Sequence, residues 1–244
     1  MYFNSKIHPS TNTLSNSHSP APTTHSLTGS LPMFVVRLRT LLKLYGGQRH
    51  PNIESFSALH KKGYITKFKD VPPNSTTIYV SHEWTSTNKA DHDGTQTYHL
   101  LLALERLQNG EIKKTEMTSL HTLVYKQSFT TTAEDWTQMI SSENTFIWYD
   151  WLCVPENKRE DMIRLIPDFI ERCDFTIVLV PGCSHLNKIN SRTQRKMNLC
   201  FRTYRLRARC VLELFCSFLT TKGNELVRPM LLVCFSLSLS SFVT

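Results

Sequence analysis

Apolar residues fall along the chain in two alternating rhythms: short unbroken runs, and longer stretches with helical spacing. Thr77-Ile78-Tyr79-Val80-Ser81, Thr145-Phe146-Ile147-Trp148-Tyr149-Asp150 and Phe175-Thr176-Ile177-Val178-Leu179-Val180 have the length and β-branched or aromatic content of strands. The third run is continuously apolar, as expected of a strand covered on both faces. Met230-Leu231-Leu232-Val233, just after Pro229, is a candidate last strand, and a further strand is expected near Thr122–Tyr125. Between these runs the period changes. Leu100, Leu101, Leu104 and Leu107 form the stripe of a helix that starts after Asp93-Gly94 and ends at Asn109-Gly110. Thr132, with Asp135 three residues on, predicts a capped short helix carrying Trp136 and Ile140. Residues 156–172 predict a helix with Met162, Ile166 and Phe169 on one side, which Pro167 should kink or split. One more helix is expected near 207–221.

The N-terminal part reads differently. Residues 1–32 are rich in Ser, Thr, Asn and Pro, with Lys6 as their one charge, and are expected to be a disordered tail. Phe34, Leu38, Leu41, Leu42 and Tyr45 then recur at helical spacing up to Gly46-Gly47. A second helix is placed from Asn52, as its cap, to Lys62 before Gly63. The predicted organisation is therefore a tail (1–32), leading helices (33–74), an α/β domain (75–236) and a short tail (237–244). Strands alternating with helices give a parallel sheet with helices on both faces. In such sheets ligands bind outside the carboxyl ends of the strands. Those ends are Ser81-His82-Glu83-Trp84, Asp150-Trp151-Leu152-Cys153 and Pro181-Gly182.

Charge sharpens the picture. The chain carries 28 Lys+Arg and 20 Asp+Glu, a formal +8. Residues 1–53 hold five basic and no acidic residues, 54–183 hold 13 basic and 18 acidic, and 184–244 hold 10 basic and two acidic. An acidic body between basic segments is not a uniformly basic nucleic-acid binder. The basic stretch from Lys188 to Arg209 has only Phe201 and Tyr204 as aromatics, too few for a base-stacking platform, so nucleic acid is not an expected partner. Its guanidinium groups, Arg207 and Arg209 among them, suit a pyrophosphate; the bland alternative is a solvated loop. Seven Cys with no C-x-x-C pair and no His cluster at ligand spacing predict buried thiols and no metal site. No run of about 18 apolar residues predicts a membrane span. A cytoplasmic location is expected, with organelle targeting by the acid-free N-terminal segment as the alternative.

Glycine-rich dinucleotide and phosphate loops and the G-x-S-x-G elbow are all missing. What the strand ends carry instead is Ser81-His82-Glu83-Trp84, then Asp91-His92-Asp93-Gly94-Thr95-Gln96. This resembles the S-H-x-W … P-D-x-D-G-x-Q opening of a TIR-like family. Trp148-Tyr149-Asp150-Trp151-Leu152-Cys153-Val154-Pro155-Glu156 is similar to that family's W-Y-D-x-x-C-x-P-Q segment, and to the W-I-D-x-x-C-I-N-Q segment of fungal heterokaryon-incompatibility (HET) domains. Tyr204-Arg205-Leu206-Arg207-Ala208-Arg209-Cys210-Val211-Leu212-Glu213 resembles the TIR helix motif Y-x-x-R-x-W-C-x-x-E. The resemblance covers residues 75–220. Arg209 stands where the family has Trp, and Ala90 and Glu156 replace its Pro and Gln.

The resemblance implies a flavodoxin-like, TIR-like sheet and a role in signalling or defence. It further implies cleavage of NAD, as substrate rather than cofactor, at the nicotinamide–ribose bond, with Glu213 stabilising an oxocarbenium-like centre. Glu213 also stands out as the one acidic residue between Asp174 and Glu225, where the bland reading pairs it with Arg207 or Arg209. Ser81 lies at the same strand end. Trp84 is the candidate to stack on a nicotinamide or adenine ring, Asp150 to orient a ribose or hold its loop, and Trp151 to line the pocket. His82 is read as a loop hydrogen-bonder sooner than a catalyst. The alternative function is a non-catalytic TIR/HET-like interaction module acting by self-association. The loss of Trp at position 209 bears directly on that choice.

Overall fold

The computed structural model describes residues 31–116, 130–219 and 230–233. The expected N-terminal tail, the strand near 122–125 and the C-terminal tail lie outside the described residues. The described residues form a mixed α/β fold around a six-stranded sheet. Its strands are β1 (Phe34–Arg37), β2 (Ile65–Lys67), β3 (Thr76–His82), β6 (Thr145–Tyr149), β7 (Phe175–Leu179) and β10 (Met230–Val233), in the order β10-β7-β3-β6-β1-β2. Four neighbours, β10, β7, β3 and β6, run parallel. β1 lies antiparallel between β6 and β2. Two small hairpins stand apart, β4 (Lys114–Glu116) with β5 (Thr130–Thr132), and β8 (Ser184–Ile189) with β9 (Lys196–Asn198).

β3 is the hinge of this order. The chain leaves it to form β6 on one side and then β7 on the other, the topological switch at which open α/β sheets leave a crevice. Alternation along β3 divides its side chains between two helical layers. Tyr79 and Ser81 face one way. Tyr79 stacks on Trp148 at 4.4 Å between ring centroids, Trp148 meets Phe169 of α7 (Ile166–Arg172), and Ser81 meets α9 (Ala208–Leu219). His82 faces the other way, onto α3 (Thr95–Gln108), beside which α1 (Leu38–Tyr45) and α4 (Ala133–Met139) pack.

Local signals explain most boundaries. Thr132 and Asp135 form the reciprocal capping box that starts α4. Gly94 precedes α3 at φ +76°, and a Cβ there would lie 2.2 Å from the Pro51 carbonyl oxygen, so the turn needs glycine. Pro167 does split the segment 156–172: α6 (Arg159–Ile163) stops, and α7 restarts with Pro167 in its first turn.

The region 33–74 departs from expectation. Phe34–Arg37 is a strand, not the first turn of a helix, and α1 begins only at Leu38. The period fits both readings because Phe34 is followed by Val35 and Val36, β-branched residues buried on both faces of the sheet. The second helix, α2 (Phe56–Lys61), starts after Ser55 and not Asn52. β1 and β2 complete the sheet, so this segment belongs to the α/β body. Leu41 of α1 is fully buried. Leu41→Ala is therefore expected to cost about 3 kcal/mol in urea unfolding; a leading helix outside the core would lose under about 0.5 kcal/mol.

Candidate functional site

The register of β3 against β6 pairs Val80 with Tyr149, so Asp150, the next residue and the first of α5 (Asp150–Cys153), stands beside Ser81 and His82. Its carboxylate is buried and accepts three hydrogen bonds. His82 Nε2 lies 2.8 Å from Oδ1, while Trp84 Nε1 and Arg209 Nη2 donate to Oδ2 at 2.7 and 2.8 Å. Arg209 also donates from Nε to Glu213 Oε1 at 3.0 Å, one helical turn along α9. Glu213 Oε2 accepts from the Ser81 hydroxyl, and the Tyr204 hydroxyl lies 2.5 Å from that same Ser81 oxygen. With the Ser81 proton committed to Glu213, Tyr204 is the donor to Ser81.

His82 completes the far end. Gln96 donates its amide N–H to the Glu83 carbonyl at 2.8 Å, which turns Gln96 Oε1 toward His82 Nδ1 at 2.7 Å. Both ring nitrogens thus face acceptors, and the ring carries both protons. Buried charges accordingly alternate along one line: His82 positive, Asp150 negative, Arg209 positive, Glu213 negative. Each is held by an opposite neighbour, the condition for keeping ions out of water.

The titration behaviour follows. Burial works against charge on Asp150, but His82, Arg209 and the Trp84 N–H outweigh it and hold the carboxyl far below its usual range. Burial also works against the His82 cation, and Asp150 with Gln96 reverses that and raises its pKa. Glu213 is shifted up, chiefly by burial with Asp150 adding, against the lowering by Arg209 and Ser81. Arg209 is pushed up by Asp150 and Glu213 despite burial. Buried Cys153, Cys183 and Cys210 are each raised to about 12 by burial, so they are inert thiols.

Two cavities open beside this line. The first, about 150 Å³, is walled by Trp84, Trp148, Asp150, Arg159, Met162 and Arg209 among others. The Arg159 guanidinium lies 4.2 Å from the Trp151 ring centroid and 5.5 Å from that of Trp84, and its Nε and Nη2 are buried with no hydrogen-bond partner. The second cavity, about 290 Å³, shares Trp84 and Arg209 and adds residues of the β8–β9 hairpin.

All eight residues singled out from the sequence come together here. His82, Trp84, Asp150 and Arg209 reach the cavity walls, and Arg207 reaches the second wall while bound to Glu83 at 2.7 Å. Trp151 sits edge-on to Trp84 and lines neither cavity. Ser81 and Glu213 are 1% and 2% exposed and line neither. Glu213 is paired with Arg209 rather than Arg207. Sequence reasoning missed Arg159, Gln96 and Tyr204. The last two lay inside quoted motifs, whereas nothing in the pattern marks Arg159. It also missed Glu83, whose carboxylate takes Arg207 and the Thr203 hydroxyl. Among the described residues no group of His, Cys, Asp and Glu is arranged for a metal ion, and no helix is long and apolar enough to cross a membrane.

The sign of the His82 shift sets a pH dependence. A raised folded pKa stabilises fully below the unfolded value of about 6.5 and fades as pH rises through the folded value. Asp150, being lowered, stabilises above its unfolded value of about 3.9 and loses this on acidification. His82→Gln should therefore cost about 2 kcal/mol between about pH 4 and 6.5, and less toward pH 9, in urea unfolding. A cost independent of pH would mean that folding leaves the His82 pKa unchanged, and a cost that rises with pH would mean that folding lowers it. No family model, no curated protein and no solved structure matches this chain.

Proposed function

We propose that this chain is a TIR-like signalling module that recognises a nucleotide of the NAD class at the cleft beside Trp84 without cleaving it. One observation carries this reading: Glu213 is buried, with one carboxylate oxygen held by Arg209 and the other by Ser81, and it is off the walls of both cavities. A carboxylate that stabilises a developing oxocarbenium ion must approach the sugar. Here Arg209 lies at the cavity wall and holds Glu213 through its Nε, at the position where the resembled family has Trp. A glycosidic centre entering the cavity would meet the Arg209 side chain and not the Glu213 carboxylate behind it.

Recognition is a different matter. The first cavity combines two indoles, apolar side chains and the cationic side chain of Arg159, which suits a flat ring attached to an anion. At about 150 Å³ it falls below the roughly 300 Å³ at which pockets engulf whole ligands. One ring fits inside it, and the rest of a dinucleotide would lie at the surface. This supports the interaction-module alternative over hydrolysis, with output through association with another copy.

Incubation with NAD at high protein concentration is expected to release no nicotinamide above a Glu213→Gln control. Release that disappears in Glu213→Gln would overturn the reading. Titration with NAD should quench tryptophan fluorescence saturably, and Arg159→Ala should weaken the apparent affinity about tenfold. Absence of saturable quenching would remove NAD as the ligand.

A further inference from the structure

The second cavity has a chemistry of its own. Among its wall residues Glu83 is the one carboxylate, and both its oxygens are occupied, Oε1 by Arg207 Nε and Oε2 by the Thr203 hydroxyl. The cations are not used up. Arg207 Nη2 is buried and has no hydrogen-bond partner, a charged donor stripped of water with nothing in return. Lys188, half-buried in the wall, makes no ion pair among the described residues.

His185 adds a neutral donor. It is 2% exposed, and its Nδ1 accepts the backbone N–H groups of Asn187 and Lys188, both at 3.1 Å. The ring proton is therefore on Nε2. Burial, Lys188 and Arg207 all lower its pKa, in keeping with the uncharged form. The first turn of α9, represented in the wall by Arg209 and Cys210, adds the positive end of a twelve-residue helix. The wall thus carries three cationic side chains, Lys188, Arg207 and Arg209, against one carboxylate, Glu83.

We infer that this cavity is an oxyanion site that takes a terminal phosphate group, free or esterified, between Arg207, Lys188 and His185. A guanidinium, an ammonium and an imidazole N–H on separate elements suit three phosphate oxygens better than the two of a carboxylate. The bound anion would meet the part of the Arg207 side chain, 33% exposed, that opens on the cavity. The site stands apart from the nucleotide reading of the first cavity and does not depend on it.

Lys188 tests the site without disturbing the Arg207–Glu83 pair. Calorimetric titration with inorganic phosphate at constant ionic strength should give saturable binding. Lys188→Gln should weaken it about tenfold and Lys188→Arg should retain it. The melting temperature of each variant without phosphate should match that of the parent. Arg159→Ala, in the first cavity, should leave phosphate affinity unchanged. Adenosine monophosphate, titrated into the Arg159→Ala variant with adenosine as its control, identifies the source. Binding tighter than inorganic phosphate and absent for adenosine points to an ester, and equal binding points to the free ion. The inference is overturned by no saturable heat up to about 10 mM phosphate. It is equally overturned by undiminished binding in Lys188→Gln, or by loss of binding in Arg159→Ala.

Discussion

The arrangement at the carboxyl edge of the sheet depends on one carboxylate. Asp150 is the first residue after β6, and parallel pairing with β3 puts it beside His82, where it is buried but for the part that reaches the first cavity. An isolated buried carboxylate would take up a proton or unfold its surroundings. Asp150 instead collects donors from three places: His82 at the end of β3, Trp84 in the following loop, and Arg209 on α9. Those contacts tie β3, β6 and α9 together at the edge where the cavities open. His82 extends the tie to α3 through Gln96, on the opposite face of the sheet. The charge on Asp150 is thus a reason that both helical layers meet the sheet in a single register.

Arg209 is the joint on which the chemistry turns. With it, Asp150 and Glu213 are bridged by one cation, and four charges alternate through the interior. An indole at the same position would fill space and offer one N–H, but it would bring no positive charge between the two carboxylates. Glu213 would then be left with Ser81 alone, and burial would push it further toward its neutral form. Here Arg209 and Ser81 between them hold both oxygens of Glu213. Ser81 and Tyr204 extend the hydrogen-bond chain into the small core formed with Val178 and Cys210.

Much of this was legible in the sequence. Fully buried strands announce themselves as apolar runs, and β3, β6 and β7 were found that way, as β10 was from the apolar run after Pro229. Once the strands were placed, their carboxyl ends named His82, Trp84 and Asp150, because topology brings those ends together whatever the helices do. β1 was hidden because Phe34 happens to fall in phase with Leu38 and Leu41, and a strand running straight into a helix offers no glycine or proline to mark the junction. The β8–β9 hairpin was hidden because its few apolar residues, Leu186, Ile189 and Met197, are scattered among polar ones and do not alternate with them in burial. Arg159 was hidden for a related reason. It follows a proline-containing turn with other charges around it, and its value comes wholly from the two indoles that the fold places against it.

The excess positive charge of the C-terminal part divides along the same line. Arg192, Arg195, Lys196, Arg202 and Arg205 are exposed, and solvent screens them. Lys188, Arg207 and Arg209 are half-buried and line the second cavity. A charge matters to recognition in proportion to how little water surrounds it. By that measure three residues define the electrostatics of this edge, and the other five contribute solubility. Of the three, Arg209 is neutralised by its two carboxylates and Arg207 half-neutralised by Glu83, so the uncompensated field comes from Lys188 and the free end of Arg207. That field sits over the second cavity, beside the wall formed by Trp84 and Arg209 that it shares with the first. An anion held there would lie next to the residues that connect the cleft to Asp150, and its charge would act on the one interaction that both helical layers share.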